Sequence, residues 1–576
     1  KGSGAELGKL AKVGKLPKIT LRPSPCLQYS PPPVDSIPAP SLDDLVAACK
    51  DGDQALAQLM ADRFRPFYCY DLKAASWYRF NGRAWERDDS QWVNRATLDE
   101  FVRLLKDGKE EAEASLLTVC KAAGVDPYTQ APGSLQRNPA VSKAYSRYSA
   151  LSETLKRLNR AKAWDGFLSL LQTGGYLGID GKVWDIPAGD PREFLLVAKN
   201  GVLNLKTWEF APQGNPNDWL RSSLSTNYNR DAQCPRWQQF LSEILTDVYL
   251  DDHEREADAE ANSRHLQKII GMSLLRHSKQ HCALILYGSM GGNGKDRFIT
   301  AIQNTLGSDL IGPLDKALLM KQKQEADKSS LLSLQYKHLA ILSESRDGGS
   351  MDQEAMKRLT GGAELIVRAP YAKLATTFTP FFLPILLTNY LPSVQQDQAT
   401  RRRLHVFSLK RQFLPNPNPS RPHEAPADIE LDAKLAAEAE GILLWILEGL
   451  RAFMADKKLT WPPAMESLID DFFKDSDPLA EFQASCLDYR PGASCTLTEV
   501  HAAYKAFCEE QQAAKVLDRP SFKKALLRDP AIRGKNIGRK SVSGQKAQEW
   551  ELSGIRLHDA QAEQERTSLE TSRPLF

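Results

Sequence analysis

Three continuous apolar runs in the middle of the chain predict buried strands. They are HCALILY (281–287), HLAILS (338–343) and LPILLT (383–388). None alternates apolar and polar residues, which is typical of strands covered on both faces. Helical patterns separate the runs, so the order of elements indicates an α/β domain with a parallel sheet.

Helical and hairpin patterns precede these runs. Ser41 stands where it would cap a helix at LDDLVAACK, and residues 96–173 have helical apolar spacing. WYRFNGRAWERDD and REFLLVAKNGVLNLKTWEF each predict two strands joined by an Asn-Gly turn. PRWQQFLSEIL and HLQKIIGMSLLRH predict two further helices. The amino-terminal region is therefore expected to be mixed α+β.

Beyond residue 470 the patterns predict a small separate module. Helices are expected at DPLAEFQASCL, LTEVHAAYKAFCEEQ and RPSFKKALL, and EWEL with IRL predicts a closing pair of strands. That order favours a winged-helix domain. Its basic run RPSFKKALLRDPAIRGKNIGRK is either a duplex-DNA contact or a solvated face.

Composition narrows the class of protein. The 576 residues carry a net charge of only +3, so any nucleic-acid contact must come from local clusters. The nine cysteines form no CxxC pair, which argues against a zinc finger and against a disulfide framework. No apolar run is long enough to span a membrane. We expect a cytoplasmic protein, and a chain starting at Lys1 rather than Met is expected to have been processed or cut.

A glycine-rich loop follows the first apolar run and precedes a helical pattern. Glycines let backbone N–H groups approach phosphate oxygens, and the following helix N-terminus adds positive potential. Lys295 is placed to reach the β- and γ-phosphates of a nucleotide. The alternative is a glycine-rich turn that binds nothing. The predicted ATP-binding residues are Gly288, Ser289, Met290, Gly291, Gly292, Asn293, Gly294, Lys295 and Asp296.

Two positions depart from the usual P-loop pattern, G-x-x-x-x-G-K-[ST]. Ser289 occupies the first glycine position, and Gly288 lies one residue early. Asp296 replaces the hydroxyl residue that normally binds Mg²⁺. A bare carboxylate would repel the triphosphate, whereas a carboxylate that binds Mg²⁺ would not. We therefore predict Asp296 as a Mg²⁺ ligand, with Ser343 supplying a hydroxyl nearby.

Further residues could complete a nucleotide-hydrolysing site. Glu344 follows the second apolar run and is predicted to polarise the attacking water and to share the metal. Asn389 follows the third run and is either an amide that holds this water or a turn residue before Pro392. The arginines of DQATRRRLHVF are either surface charge or the source of an arginine finger.

The combined motifs resemble the superfamily 3 helicases, within them the phage and poxvirus primase-helicase branch. The similar segments are GGNGKD, LAILSES, KRLTGGAELIVRAPY, FTPFFLPILLTN and D-x-A-x-x-RRL, and weaker similarity extends over about residues 41–557. The resemblance implies a hexameric AAA+-like ring that uses ATP and Mg²⁺, moves 3′→5′ on single-stranded DNA and opens forked DNA during replication. Such a protein would act in a bacterial host and be encoded by a phage or mobile element.

The resemblance also implies residue roles. Lys295 corresponds to the P-loop lysine, Glu344 to the acidic residue, Asn389 to the sensor, and either Arg402 or Arg403 to the finger. KRLTGGAELIVRAPY corresponds to a hairpin that projects into the ring channel, where Arg368, Tyr371 and Lys373 would bind DNA, unless the segment is an ordinary surface strand. The implied regions are a flexible tail (1–40), a helicase-associated domain (41–232), the ATPase domain (233–469), a winged-helix domain (470–557) and a disordered tail (558–576).

Other partners and other classes of function stay open. No primase catalytic pattern is visible, so a primase is expected upstream of Lys1 or on another chain. The terminal SRPLF vaguely resembles peptides that bind sliding clamps, and a polymerase is another expected partner. Because the P-loop is altered, a DNA-binding replication initiator or assembly factor with weak or no ATPase activity is the second hypothesis. A P-loop enzyme acting on a small molecule is the third.

Overall fold

The protein is described from a computed structural model. Parts of both chain ends, including most of the predicted tails, lie outside the described residues. The structure describes residues 39–125, 137–158, 160–277, 280–321, 328–343, 350–368, 375–392, 394, 397–475, 478–488, 492–510, 516–527, 537–541, 548–553 and 555–557.

The amino-terminal region is a mixed α+β unit, as expected. Its helices surround a core in which Leu56, Phe64 and Phe101 are fully buried. The Ser41 side chain accepts a hydrogen bond from the Asp44 N–H, which confirms the predicted cap. The helices are α1 (Leu42–Asp51), α2 (Asp53–Phe64), α3 (Trp92–Ala122), α4 (Pro139–Leu158) and α5 (Ala161–Leu171).

Two small sheets complete this region. Both predicted Asn-Gly hairpins are present as antiparallel strand pairs: β2 (Ser76–Phe80) pairs with β3 (Trp85–Arg87), and β5 (Leu195–Ala198) pairs with β6 (Gly201–Asn204). Short 3-10 turns connect the sheets at Gly181–Trp184, Pro191–Phe194 and Pro216–Asp218. The strands are β1 (Tyr68–Asp71), β2 (Ser76–Phe80), β3 (Trp85–Arg87), β4 (Gly178–Ile179), β5 (Leu195–Ala198), β6 (Gly201–Asn204) and β7 (Phe210–Ala211).

The central region is built on a sheet of five parallel strands, which makes the chain a multidomain α/β protein. The three apolar runs form strands of this sheet, so their prediction is confirmed. The short strand β9 (Ile311–Pro313) is not predicted by the sequence pattern. In sheet order the strands are β14 (Leu404–Ser408), β8 (Ala283–Tyr287), β13 (Leu383–Thr388), β10 (Leu339–Ser343) and β9 (Ile311–Pro313).

Helices cover the sheet and join it to its surroundings. The core is continuous from the sheet to the helices before and after it. A separate strand pair, β11 (Leu365–Val367) with β12 (Thr376–Phe378), is antiparallel; β15 (Gln412–Leu414) pairs with β16 (Glu424–Pro426). The helices are α6 (Pro235–Leu245), α7 (Asp252–Met272), α8 (Lys295–Leu306), α9 (Gln353–Thr360), α10 (Gln398–Arg401), α11 (Leu431–Ala437), α12 (Ala439–Asp456) and α13 (Pro463–Asp475), with 3-10 turns at Lys316–Leu318 and Lys328–Leu334.

The carboxy-terminal region has its own core around Phe482, Tyr504 and Phe522. Its three helices match the predicted ones. The predicted pairing of EWEL with IRL is wrong. EWEL lies in β20 (Gln548–Ser553), which pairs with β18 (Ser494–Thr496) and β19 (Ile537–Ser541). IRL contains β21 (Arg556–Leu557), which pairs with β17 (Leu487–Asp488). A winged-helix fold stays a prediction. The elements are α14 (Pro478–Cys486), β17 (Leu487–Asp488), β18 (Ser494–Thr496), α15 (Leu497–Glu510), α16 (Arg519–Leu526), β19 (Ile537–Ser541), β20 (Gln548–Ser553) and β21 (Arg556–Leu557).

Within the described residues, every helix is too short or too polar to cross a membrane.

Candidate functional site

The glycine-rich loop joins the end of β8 to the start of α8, which is the arrangement that the sequence predicts. Gly294 directly precedes α8 with φ at 88°, and a Cβ there would lie 2.7 Å from the Ile244 side chain. A Cβ on Gly288 would lie 1.7 Å from Nδ2 of Asn293. The absence of a side chain at Gly288 thus leaves room for the buried Asn293 amide. This packing explains why a glycine lies at position 288, one residue earlier than in the usual motif.

Asn293 and Lys295 form the interior of the loop. The Asn293 amide is almost fully buried, and its Nδ2 donates to the Met290 carbonyl at 2.6 Å. Lys295 is the first residue of α8 and only 7% exposed. Its Nζ donates to Oδ1 of Asn293 at 3.3 Å and to Oδ1 of Asn389 at 2.5 Å. The loop therefore holds a cation against two neutral amide oxygens.

Burial changes the electrostatics of Lys295. Loss of water lowers the pKa of its ammonium, and the neighbouring Asp296 carboxylate partly opposes that shift. Both hydrogen-bond acceptors that the described residues offer to Lys295 are neutral, so none of these residues cancels the positive charge within hydrogen-bond distance. An anion such as a phosphate would favour the charged form and bind at this point.

The sheet brings Asn389 to the loop from a distance of 94 residues in sequence. β13 and β8 are parallel neighbours with Thr388 opposite Tyr287, so both strands end at the same edge. The Gly288 N–H donates to the Thr388 carbonyl at 3.1 Å and fixes the start of the loop beside β13. The structure thus brings together Lys295 and Asn389, two of the predicted site residues.

The acidic part of the predicted site is only partly described. β10 ends at exposed Ser343, paired with Leu387 of β13, on the edge where Asn389 lies. Glu344 lies outside the described residues. Asp296 is exposed in the first turn of α8, and no described residue forms a hydrogen bond or ion pair with its carboxylate. Its neighbour Arg297 is paired with Asp432 instead.

The Asp296 carboxylate and the Ser343 hydroxyl, the two candidate ligands among the described residues, are oxygen donors of the kind that Mg²⁺ prefers. The described part of the chain contains no group of three or more His, Cys, Asp or Glu that could hold a metal ion by themselves. A Mg²⁺ ion at Asp296 would therefore need the nucleotide, water or Glu344 as further ligands, which is usual for Mg²⁺ in nucleotide sites.

The three arginines at the end of α10, Arg401 to Arg403, have different surroundings. Arg401 binds Asp470 of α13 at 2.6 Å and lies over the Trp461 ring. Arg403 is buried, and its Nη1 donates to the Ala399 carbonyl at 2.7 Å. Arg402 is exposed, and its guanidinium has no hydrogen bond or ion pair to the described residues. Of the two candidate fingers, Arg402 alone is accessible to another molecule.

The Asp of the motif D-x-A-x-x-RRL, Asp397, has no role assigned to it from the sequence, and the structure shows that it positions these arginines. Asp397 caps α10 by accepting from the N–H groups of Ala399 and Thr400, and it pairs with Lys357 of α9 at 2.5 Å. Hydrogen bonding by Lys357, supported by Thr400, holds the pKa of Asp397 well below its usual range. The sequence contains a sign of this cap, because Asp directly before a short helical segment commonly accepts hydrogen bonds from the N–H groups two and three residues later.

The segment predicted as a DNA-binding hairpin, residues 357–371, is only partly a strand pair. Its first four residues, Lys357 to Thr360, form the end of α9, whereas Leu365–Val367 forms β11 and pairs with β12. Ile366 of β11 is 72% exposed, and the exposed Arg368 follows the end of that strand. Tyr371 and Lys373, the other two predicted DNA contacts, lie outside the described residues. An apolar side chain and a cation thus share the outward face of this hairpin.

Comparison with known proteins gives one family and several viral relatives. Residues 57–246 match the family described as D5 N terminal like. The provisionally named helicase L207/L206 of Acanthamoeba polyphaga mimivirus is 24% identical over 426 residues, which is 70% of this chain and 40% of that protein. The provisionally named primase C962R of African swine fever virus is 23% identical over 332 residues, covering 55% of this chain and 33% of that protein.

Two other similarities are weaker. The provisionally named helicase 022R of Frog virus 3 is 23% identical over 214 residues, covering 36% of this chain and 21% of that protein. The apo structure of the NrS-1 C-terminal region has a TM-score of 0.32 and 11% identity, covering 58% of this chain and 80% of that one. A TM-score this low supports no comparison of the folds. The chain spans less than half the length of the viral relatives it matches.

Proposed function

We propose that this chain is an ATP-dependent DNA helicase of the superfamily 3 primase-helicase branch, encoded by a phage or mobile element and acting in replication. The match to the D5 N terminal like family and the similarity to viral proteins provisionally named helicase and primase support this proposal. The observation that carries the proposal is the Lys295 ammonium, held at the start of α8 by two neutral amide oxygens. A buried cation whose described hydrogen-bond partners are neutral, between a glycine loop and a helix N-terminus, is suited to the phosphates of ATP.

Each site residue has a role in this proposal. Lys295 and the loop N–H groups bind the phosphates, and a phosphate oxygen replaces one of the two amide acceptors of Lys295. Asn389 orients the attacking water, and Glu344 polarises it. Asp296 and Glu344 hold Mg²⁺, which when bound neutralises charge on the phosphates. The remaining loop residues, from Gly288 to Gly294, shape the phosphate cradle.

The proposed active form is a hexameric AAA+-like ring that moves 3′→5′. Arg402 supplies the finger to the nucleotide of a neighbouring subunit, because it is exposed and unpaired among the described residues. Arg403 supports the backbone beneath it through the Ala399 carbonyl. An intersubunit finger makes hydrolysis depend on assembly.

The proposed substrate is single-stranded and forked DNA in the cytoplasm of a bacterial host. The hairpin β11–β12 contacts the strand, with Arg368 and Lys373 binding phosphates and Tyr371 stacking on a base. The carboxy-terminal region, as a winged-helix domain, contacts duplex DNA, and primase, polymerase or clamp proteins are the proposed partners.

An ATPase assay tests this function. Phosphate release is measured with and without oligo-dT for the intact chain, for Lys295→Ala and for the control Lys50→Ala on exposed α1. We expect DNA-stimulated turnover in the intact chain and the control, and at least a hundredfold loss in Lys295→Ala with unchanged melting temperature, since the charge that binds the transferring phosphate is gone. Normal turnover in Lys295→Ala would reject the phosphate site.

The second candidate is a replication initiator or assembly factor that binds DNA with little hydrolysis. It is favoured by Asp296, which stands where a hydroxyl residue is usual. The same assay separates the two, because an initiator of this kind would bind oligo-dT without DNA-stimulated turnover.

A further inference from the structure

A cavity of about 180 Å³ lies at the edge of the central sheet opposite the glycine loop. Cys282 and Leu383 line it where β8 and β13 begin, whereas the glycine loop follows the other end of β8. Gly362 and Thr379, which flank the hairpin strands β11 and β12, line another wall. The cavity is thus at the base of the hairpin and separate from the nucleotide site.

Arg276 lines this cavity without a counter-charge. Its guanidinium lies 5.3 Å from the centre of the Phe381 ring. Among the described residues, no carboxylate lies within 4 Å of it and no acceptor is hydrogen-bonded to it. Burial lowers the pKa of Arg276 to about 10, and Arg192 and Arg221 act in the same direction, opposed by the Tyr336 phenol. The local charge around Arg276 is therefore positive.

Two imidazoles extend the polar wall of the cavity. One ring nitrogen of His277 lies 2.7 Å from the Ile186 carbonyl, and one of His281 lies 2.5 Å from the Thr360 carbonyl. Because a carbonyl can only accept, each of these nitrogens must carry a proton. The imidazoles are thereby fixed in orientation. A half-buried guanidinium without a counter-charge, beside oriented polar groups, is costly unless an anion completes the site.

We propose that this cavity binds a phosphate group, with Arg276 as its principal ligand. The planar guanidinium fork matches the oxygens of a phosphate, and the contact with the Phe381 ring restricts its orientation. The source is either a phosphodiester of single-stranded DNA that follows the hairpin, or inorganic phosphate. The DNA source rests on the proposed function, whereas the phosphate site itself does not.

Thermal unfolding tests the phosphate site. The full chain is compared in sodium phosphate and in sodium chloride at equal pH and ionic strength, always with Lys295→Ala present so that the glycine loop contributes little. We expect phosphate to raise the melting temperature of this protein and of a matched control that also carries Arg95→Met on exposed α3. Adding Arg276→Met should remove that rise without lowering the melting temperature in chloride, because a half-buried charge with no described counter-charge has been removed.

An equal phosphate response with and without Arg276→Met would overturn the proposal. If that variant does not fold, Arg276→Lys is used, which retains a charge but loses the fork. It should keep a reduced phosphate response, and an undiminished response would also overturn the proposal.

Oligo-dT binding at several salt concentrations identifies the source of the phosphate. If DNA supplies it, Arg276→Met weakens binding about tenfold and lowers the salt slope by about one unit, whereas Arg95→Met changes neither. If the phosphate response disappears but DNA binding is unchanged, the site takes inorganic phosphate. A chain that hydrolyses no ATP would still respond to phosphate through Arg276, so the two proposals fail separately.

Discussion

At the scale of single residues, the main departure from the usual P-loop is Asp296. Its carboxylate is exposed, lies next to Lys295 and is unpaired among the described residues. A carboxylate at a helix N-terminus is also favoured by the helix dipole alone. The two explanations predict different responses to Mg²⁺.

We expect Asp296→Ala to raise the Mg²⁺ concentration for half-maximal ATP turnover by about tenfold, the effect of losing one ligand. Asp296→Thr should largely preserve activity, because a hydroxyl is the usual ligand at this position. The measurement is ATPase rate against Mg²⁺ concentration for both variants. Normal turnover of Asp296→Ala at limiting Mg²⁺ would show that Asp296 is not a Mg²⁺ ligand and that only its interaction with the helix dipole accounts for it.

The difference between Arg402 and Arg403 is also a matter of single residues. The two arginines are adjacent in the sequence, which does not distinguish them. In the structure Arg403 is buried, with 8% of its surface exposed, whereas Arg402 is exposed. Burial lowers the pKa of Arg403, and the adjacent charge of Arg402 adds to this. Arg403 is therefore tied to the fold of its own chain.

At the scale of elements, a buried histidine pair joins α7 to the edge strand β14. Nε2 of His265 lies 2.9 Å from Nδ1 of His405, and Nε1 of Trp461 donates to the same Nδ1 at 3.2 Å. Nδ1 of His405 must therefore be an unprotonated acceptor, and His265 the donor. Burial lowers the pKa of His265 to about 4 and that of His405 to about 3.

This pair makes stability fall in acid. The pKa in the folded state lies below that of an unfolded histidine, about 6.5, so only the unfolded chain takes up these protons between pH 6.5 and about 4. The contribution of the pair to the free energy of unfolding should therefore be constant above that window and decrease, as the pH falls through it, by about 1.4 kcal/mol per pH unit for each imidazole.

We expect His265→Gln, whose amide can still donate to His405, to reduce this dependence by about one proton. Denaturant unfolding between pH 4.5 and 7.5 measures the slope. His253→Gln on the exposed part of α7 is the control and should leave the slope unchanged. An equal slope in both variants would contradict the assignment of the pair.

The hairpin β11–β12 carries a prediction of its own. Lys373→Ala should weaken single-stranded DNA binding for all sequences and lower the salt slope by about one unit, because one phosphate contact is lost. Binding of several oligonucleotides at several salt concentrations measures this, with Lys50→Ala as the control. An unaltered slope would remove Lys373 from the DNA contact.

At the scale of the whole molecule, the proposed ring makes a prediction that a monomeric enzyme would not share. Arg402→Ala and Lys295→Ala should each be inactive alone. Mixing them should restore ATPase activity, because an intact P-loop of one variant then meets an intact Arg402 of the other at about a quarter of the interfaces in a random ring. The measurement is ATP turnover across mixing ratios; no recovery at any ratio would place the arginine outside the interface.

Local patterns determined a large part of this fold. The apolar runs at 281–287, 338–343 and 383–388 became parallel strands, because strands covered on both faces must be apolar on both faces. Both Asn-Gly turns became hairpins, and the glycine loop lies between a strand and a helix. In each case the determining interactions are between residues close in sequence, so the sequence alone was sufficient.

Long-range packing decided the rest. EWEL and IRL are strands as predicted, but their partners β18, β19 and β17 were not foreseen, since any exposed edge can accept a strand. The sheet order brings Asn389 to Lys295, and burial separates Arg402 from Arg403. Arg276 becomes a candidate phosphate ligand only because segments far apart in the chain form a cavity around it. Proximity and desolvation depend on the packed chain as a whole, and therefore only the tertiary structure decided them.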